Sequence, residues 1–391
     1  MLLLVIYVVF ISLGLPDSLF GVAWPVVHLE FGQPESLASV YSIIIGVCTG
    51  GVSFLSGKLI RRFGTGRVTL FSTLLTVVGM VGISFAPNIW VMMLFSIVMG
   101  YGAGAIDTGL NSYVSLHYQA RHMNWLHCFW GVGVTLSPMI MSAFLGGGTG
   151  AWRWGYRTVA AIQLAIAMLV LFTLKKWQPE QQSVRQQKQH LPEKTMSQLL
   201  RRRGVICSIL SLGLYCTAES LLGTWGASYA VHMFAMEPEA AAQWVSLYYC
   251  GIMVGRVVSG FASARLDDDA LIRIGVITAV AGTVVLLLPL GTMSLCGLFL
   301  IGVGFGPIFP GVLHAVPARF GVDYAADITG FHMGGAYAVG YVLQLLFGLL
   351  ATSVGFFLTP PALLLLCGGV FVLNGVVLRQ LSGEKRTFVE R

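Results

Sequence analysis

Four ionisable side chains lie inside long apolar runs of this 391-residue chain: Asp17, Asp107, Glu219 and Arg256. An ionisable group at the centre of a bilayer costs about 2.5–3.5 kcal/mol on insertion scales, so each one needs a reason to be there. The chemistry open to a carboxylate in that position is proton carriage. Exposed in turn to two aqueous sides, it can load a proton on one and release it on the other. A static ion pair is the competing explanation, but apolar packing can usually replace such a pair. Asp107, Asp17 and Glu219 are therefore read as proton-coupling residues. Arg256 keeps two readings of equal weight, a partner that holds helices together or a member of the coupling machinery.

Helical spacing places further groups beside these, because positions three, four and seven apart share a face. Asp17, Trp24 and His28 fall along one stripe; Gly100, Gly104, Asp107 and Asn111 form another. His127 shares a face with Trp130, Tyr249 with Arg256, and Tyr337 with Tyr341 and Gln344. Aromatic rings beside hydrogen-bonding groups suit a sugar-like solute, whose ring has apolar C–H faces and a hydroxyl rim. Asn111, His127, Trp24, Trp130, Trp225, Tyr337, Tyr341 and Gln344 are thus the expected substrate-binding residues. Trp24 and Trp225 read equally well as anchors at the membrane interface. His314 and His332 read better as packed, hydrogen-bonded residues than as ligands.

The elements that must carry these residues follow from composition. Hydrophobic residues make up 56% of the chain and charged residues 10%, against about 25% charged in soluble domains. Runs of roughly 20 apolar residues, enough to cross about 30 Å of hydrocarbon, recur along the whole sequence. They lack strand-like alternation, so an all-α membrane protein is expected. Twelve transmembrane helices are predicted near 3–27, 36–59, 67–86, 89–113, 124–147, 156–174, 205–231, 240–263, 270–289, 292–316, 326–350 and 357–379. The predicted division is an N-terminal six-helix bundle over 1–174, a linker over 175–203, a C-terminal six-helix bundle over 204–381 and a tail over 382–391. Helices 3, 6, 9 and 12 carry no acidic residue and at most an isolated amide, Gln163 or Asn374, so they are expected to face lipid. The chain starts almost inside its first apolar run, with no basic leader or cleavage site, which leaves room for native residues before Met1.

The net charge of +7 could suggest nucleic acid, but 20 of the 23 basic residues fall in alternate loops, the linker and the tail. That asymmetry is a topology signal and predicts both termini in the cytoplasm of a bacterial inner membrane, with lipid as partner and no nucleic acid. The basic linker reads better as a solvated hinge than as a lipid-binding segment. The two halves also repeat. Asp17-Ser18-Leu19-Phe20-Gly21 matches Glu219-Ser220-Leu221-Leu222-Gly223 at an offset of 202, and Ser56-Gly57 matches Ser259-Gly260 at 203. Gly100, Gly102, Gly104 and Gly109 match Gly302, Gly304, Gly306 and Gly311, again at 202. Duplicated halves with a midplane site are the pattern of secondary transporters. The small-xxx-small pairs Gly46/Gly50, Gly100/Gly104, Gly251/Gly255 and Gly302/Gly306 allow close helix approach.

Other classes find little support. The seven cysteines lack CxxC spacing and read as small buried hydrophobes, so neither disulfide nor metal site is expected. No HExxH, P-loop or GxSxG pattern occurs, so no catalytic residue, no cofactor and no enzyme activity are expected. A monomer is anticipated.

Gly57-Lys58-Leu59-Ile60-Arg61-Arg62-Phe63-Gly64-Thr65-Gly66-Arg67 resembles the signature loop of the major facilitator superfamily, with Arg61 where an Asp usually stands. Arg62, Arg67 and Arg256 would then serve charge pairing and gating. Gly100-Tyr101-Gly102-Ala103-Gly104 with Asp107, Thr108 and Asn111 resembles the fucose permease and bacterial glucose/mannose symporter group. Gly255-Arg256, Gly260, Arg265-Leu266-Asp267 and Phe299 through Pro310 are similar to that group as well. The resemblance implies proton-coupled import of a monosaccharide by alternating access, with acids at Asp17 and Asp107 and an Asn near the sugar at Asn111. Sodium coupling and export of drugs or metabolites stay open. Ser137-Pro138-Met139 stands where exporters of the superfamily usually place Gly-Pro and further Gly.

Overall fold

Leucine, valine, isoleucine and glycine in unbroken runs leave the backbone no partner but itself, and the runs coil into helices. The computed structural model describes residues 2–117, 120–177, 196–288, 290–321 and 325–389, with backbone alone at 53–58, 61, 108, 112, 115–117, 120–121, 123–124, 196, 325–327 and 383–389. Most of the expected linker, the tail's side chains, and the side chains of Lys58, Arg61 and Thr108 therefore lie outside the described residues.

The helices are α1 (Leu2–Asp17), α2 (Leu19–Glu30), α3 (Leu37–Phe63), α4 (Thr65–Ser84), α5 (Ile89–His117), α6 (Ala120–Leu145), α7 (Trp152–Thr173) and α8 (Met196–Leu200). Then come α9 (Val205–Phe234), α10 (Pro238–Ala262), α11 (Asp268–Leu287), α12 (Cys296–Phe305), α13 (Ile308–His314), α14 (Val316–Phe320), α15 (Ala325–Val354) and α16 (Thr359–Val389). Among the described residues, 11 spans are long and apolar enough to cross a membrane, and the shorter apolar stretch Leu37–Val52 supplies a further crossing, which fits twelve. The same neighbours pack in both halves. The pairs α1–α6, α3–α5, α4–α5 and α4–α7 recur as α9–α15, α10–α12, α11–α12 and α11–α16. Gly100 and Gly104 seat α5 on Ile45, Cys48, Thr49 and Val52 of α3, and Gly302 and Gly306 seat the tenth span on Gly251 and Gly255 of α10.

Two spans expected to be continuous are broken. The first is interrupted at Ser18, and the tenth at Gly306–Pro307 between α12 and α13. Proline is the cause, since it lacks the N–H that an oxygen four residues earlier would accept. Pro16 frees the carbonyl of Ser12, and Gln163 of α7 donates to it. Pro138 likewise frees the carbonyl of Val134, which accepts from Ser18 Oγ at 2.9 Å. Gln163 is thus fully buried rather than an amide among lipid-facing side chains. Cys296 is exposed, unlike the buried role expected of the cysteines. His314 ends the tenth span, where it is exposed and hydrogen-bonded to Asp268 at 2.8 Å. Arg319 pairs with Asp269 and donates to Asn374 Oδ1 at 2.8 Å.

Contacts between the bundles concentrate at the end opposite the chain termini. There α2 crosses α9, with no room for a Cβ on Gly21 beside the Gly223 carbonyl. Ser39 Oγ donates to the Gln344 carbonyl at 3.1 Å, and His232 Nε2 meets Glu35 Oε2 at 2.9 Å. The Tyr341 ring of α15 lies flat on Gly46 of α3, so that any Cβ there would fall inside it. That end is closed. Gly46→Val should unseat Tyr341 and open it, since overpacking costs about 1–3 kcal/mol. In a cysteine-free background, Ser39→Cys should be labelled by a maleimide about tenfold faster once Gly46→Val is added; an unchanged rate would mean that Gly46 is not part of the closure.

Candidate functional site

Asp17 is the last residue of α1, where the first span loses its regularity. Its side chain is exposed, although the eight residues that follow are buried. Because the far end is closed, this exposure belongs to an internal space between the bundles. The α1–α6 contact brings its partner close: a Cβ on Gly14 would strike the Trp130 carbonyl. Trp130 Nε1 donates to Asp17 Oδ2 at 2.8 Å. The face of the same indole carries the guanidinium of Arg256, with Cζ 4.5 Å from the ring centroid. Tyr249 meets that ring edge-on at 6.5 Å.

Arg256 reaches across the bundle interface. Its Nη1 donates to the His127 carbonyl at 3.2 Å, and its Nη2 lies 3.6 Å from Glu219 Oε1. Glu219 Oε1 and Arg256 Nε accept or donate no hydrogen bond among the described residues, so this ion pair is loose. Tyr248 donates to the Glu219 carbonyl at 3.1 Å, which holds α9 against α10. The sequence did not single out Tyr248 for this role; only its place one residue before Tyr249 could have hinted at it. Two acids from different bundles are thereby linked through one indole and one guanidinium.

The second aspartate stands nearby. Asn111 Nδ2 donates to Asp107 Oδ1 at 2.7 Å, one turn along α5. Asp107 and Glu219 both lie close enough to Asp17 for their charges to act on it. Tyr337 and Tyr341 stack 6.0 Å apart, and Tyr337 is within electrostatic reach of both aspartates. The His127 ring sits edge-on between Phe10 at 5.9 Å and Phe309 at 6.0 Å. Asp17, Asp107, Asn111, His127, Trp130, Glu219, Arg256, Tyr337 and Tyr341 are thus brought together, with three carboxylates set against one guanidinium.

Other expected residues stand apart. Trp24 and Trp225 are completely buried. The indole of Trp24 donates to the Glu35 carbonyl at 2.8 Å, and Trp225 packs on Phe356 at 5.8 Å. Gln344 Nε2 donates to Thr224 Oγ1 and to the Ser220 carbonyl within the closed end, while its Oε1 is buried with no partner among the described residues. Buried His332 bonds Ser208 Oγ at 2.8 Å and the Ile328 carbonyl. The pairing expected of Arg62 and Arg67 is not seen: both are exposed, and no carboxylate among the described residues lies within 4 Å. Position 61, where the resemblance would put an acid, is arginine.

The arrangement sets ionisable groups and aromatic rings around an internal space, and among the described residues no nucleophile is hydrogen-bonded to a base. Comparison with known proteins identifies the family. A family model described as Major Facilitator Superfamily matches residues 6–345. The glucose/mannose transporter GlcP of Bacillus subtilis is 24% identical over 397 residues, 97% of this chain and 93% of that protein. The efflux pump DEP3 of Fusarium langsethiae matches a shorter stretch, 28% identical over 171 residues, 42% of this chain and 30% of that one. Among solved structures, the nucleoside transporter NupG superposes with a TM-score of 0.74 at 14% identity, over 97% of this chain and 100% of that one. FucP, the E. coli fucose:proton symporter, superposes in its outward conformation with a TM-score of 0.67 at 15% identity, over 96% and 98%. The chain belongs to the Major Facilitator Superfamily, and it is a multi-pass membrane transporter rather than an enzyme.

Proposed function

We propose that this chain is a proton-coupled symporter that carries a monosaccharide or a similar small polar solute by alternating access. The observation that carries the reading is Asp17, an exposed carboxylate halfway along a membrane span, hydrogen-bonded to the indole that supports Arg256. The full-length likeness to a glucose/mannose transporter and the fold shared with a fucose:proton symporter support it. With the basic loops in the cytoplasm of a bacterial inner membrane, the closed end faces outward and the structure is the inward-facing state. The rocking bodies would be residues 1–174 and 204–381, acting as a monomer.

In this reading Asp17 and Asp107 take the proton, and the solute lies against Tyr337, Tyr341 and Asn111. Trp130 acts as a relay more than as a stacking platform, since one face already holds Arg256 and its N–H holds Asp17. A protonated Asp17 no longer offers the indole a charged acceptor. Arg256 is then free to tighten on Glu219, 3.6 Å away. Protonation on one bundle would thereby be felt on the other.

The test is uptake by proteoliposomes of a panel of labelled monosaccharides, with a nucleoside alongside. An inward proton gradient should drive uphill accumulation that a protonophore abolishes. Accumulation driven only by sodium, or gradient-driven loss of solute, would overturn symport with protons and favour a sodium symporter or an exporter. Asp17→Asn and Asp107→Asn should each lose uphill accumulation yet keep solute exchange; if both keep full accumulation, the coupling assignment fails. Trp130→Phe retains a ring face for Arg256 but no N–H. It should reduce proton-driven accumulation about tenfold, the worth of one hydrogen bond to a charged group, and leave exchange intact. An equal loss of both would make Trp130 a solute contact instead.

A further inference from the structure

Two arginines lie at the closed end on α7, and only one of them is neutralised. Arg153 pairs with Glu30, which also accepts from Trp152 Nε1 at 2.8 Å. Arg157, one turn further into the helix, has no carboxylate within 4 Å among the described residues. Its guanidinium carbon lies over two exposed rings, 4.4 Å from the centroid of Phe85 and 4.6 Å from that of Trp154. Its Nε donates to Ser84 Oγ at 3.4 Å. With Nε bonded to Ser84 and no partner for the two terminal nitrogens among the described residues, those nitrogens offer the fork that meets a phosphate bidentately.

Phe85 is also the upper wall of an apolar groove of about 390 Å³, lined by Val77, Val78, Val81 and Gly82 of α4 and Val91 and Phe95 of α5. The Phe95 ring lies against Gly82, where a Cβ would displace it, and this deepens the floor. Phe85, Trp90 and Trp154, each more than half exposed, place this rim at the level where aromatic side chains meet lipid headgroups. A cation with no counter-charge thus tops a hydrocarbon-lined slot. The fold does not require it. In the second half the positions equivalent to 157 and 85, at offsets of 202 to 203, are Thr359-Pro360 and Leu287-Leu288.

We propose that Arg157 and the α4–α5 groove form a site for a single phospholipid, with the phosphate on the guanidinium edge and an acyl chain in the groove. Charge complementarity selects the headgroup: an anionic phosphodiester supplies the counter-charge that Arg157 does not find among the described carboxylates, Glu30 being taken by Arg153 and Glu35 by His232. The apolar lining selects the tail. The site serves the N-terminal bundle and does not depend on what the transporter carries.

Native mass spectrometry of the delipidated full chain in detergent, titrated with phosphatidylglycerol, tests it. One tightly retained copy is expected. Arg157→Gln should weaken its retention about tenfold, as loss of a charge-assisted contact does. Val78→Trp, at a half-exposed position that fills the groove, should weaken it as well while Arg157 stays in place. Diacylglycerol with the same chains should not be retained, and millimolar inorganic phosphate should not displace the lipid. Retention unchanged in both variants, equal retention of diacylglycerol, or displacement by free phosphate would each overturn the proposal.

Discussion

A polar group inside hydrocarbon has to find its partner within the protein, and most of what is specific about this structure follows from that constraint. The two prolines show it at the smallest scale. Pro16 and Pro138 each free a carbonyl, and in each case a side chain of a neighbouring helix bonds that oxygen, Gln163 to Ser12 and Ser18 to Val134. Defects in one helix become cross-links to the next. Arg256 shows it at the largest scale. A guanidinium buried to this degree is tolerable only with a counter-charge and further contacts. It obtains them from Glu219 on its own bundle and from Trp130 and the His127 carbonyl on the other. Satisfying one buried charge therefore ties the bundles together at their middle.

The closure at the far end is made differently. It has glycine seats at Gly21 and Gly46 and a handful of hydrogen bonds, such as Ser39 to Gln344 and His232 to Glu35. Each such bond contributes about 0.5–1.5 kcal/mol net. A seal of that kind is worth a few kcal/mol, which is the range that a bound solute can shift through its differential affinity for two states. Within each bundle the glycines at 100, 104, 302 and 306 bring whole helices into backbone contact, so the bundles keep their shape while the seal opens.

Much of the architecture was legible in the sequence. Apolar runs gave the spans, because hydrocarbon thickness sets their length. The intramembrane acids, singled out by their cost, are the residues that the structure gathers around Trp130 and Arg256. Periodicity was less informative about which residues of a stripe reach the internal space. Trp24 shares a face with Asp17, but it lies two turns nearer the sealed end, where α9 and the Glu35 carbonyl enclose it. Gln344 follows Tyr337 and Tyr341 on α15 and is likewise consumed by Thr224. A stripe fixes direction around a helix and says nothing of what the other bundle covers. Gln163 and the breaks at Ser18 and Gly306–Pro307 were illegible for a related reason: each depends on a partner far away in the sequence.

The repeat makes the site's asymmetry meaningful. Asp17 and Glu219 occupy equivalent positions, 202 residues apart, and an exact repeat would give them one environment. They no longer do. Arg256 faces Glu219, whereas the position equivalent to Arg256 in the first half, 203 residues earlier, is Ser53. Glu219 is thus held by a charge, while Asp17 is left exposed with only an indole N–H. Two matched acids with two matched arginines would make a stable, silent scaffold. One arginine between two unequal acids leaves Asp17, unlike Glu219, free of an ion pair among the described residues, so that its charge is not tied to a buried cation. The indole of Trp130 touches both Asp17 and the Arg256 that pairs with Glu219, so the two unequal acids share one ring.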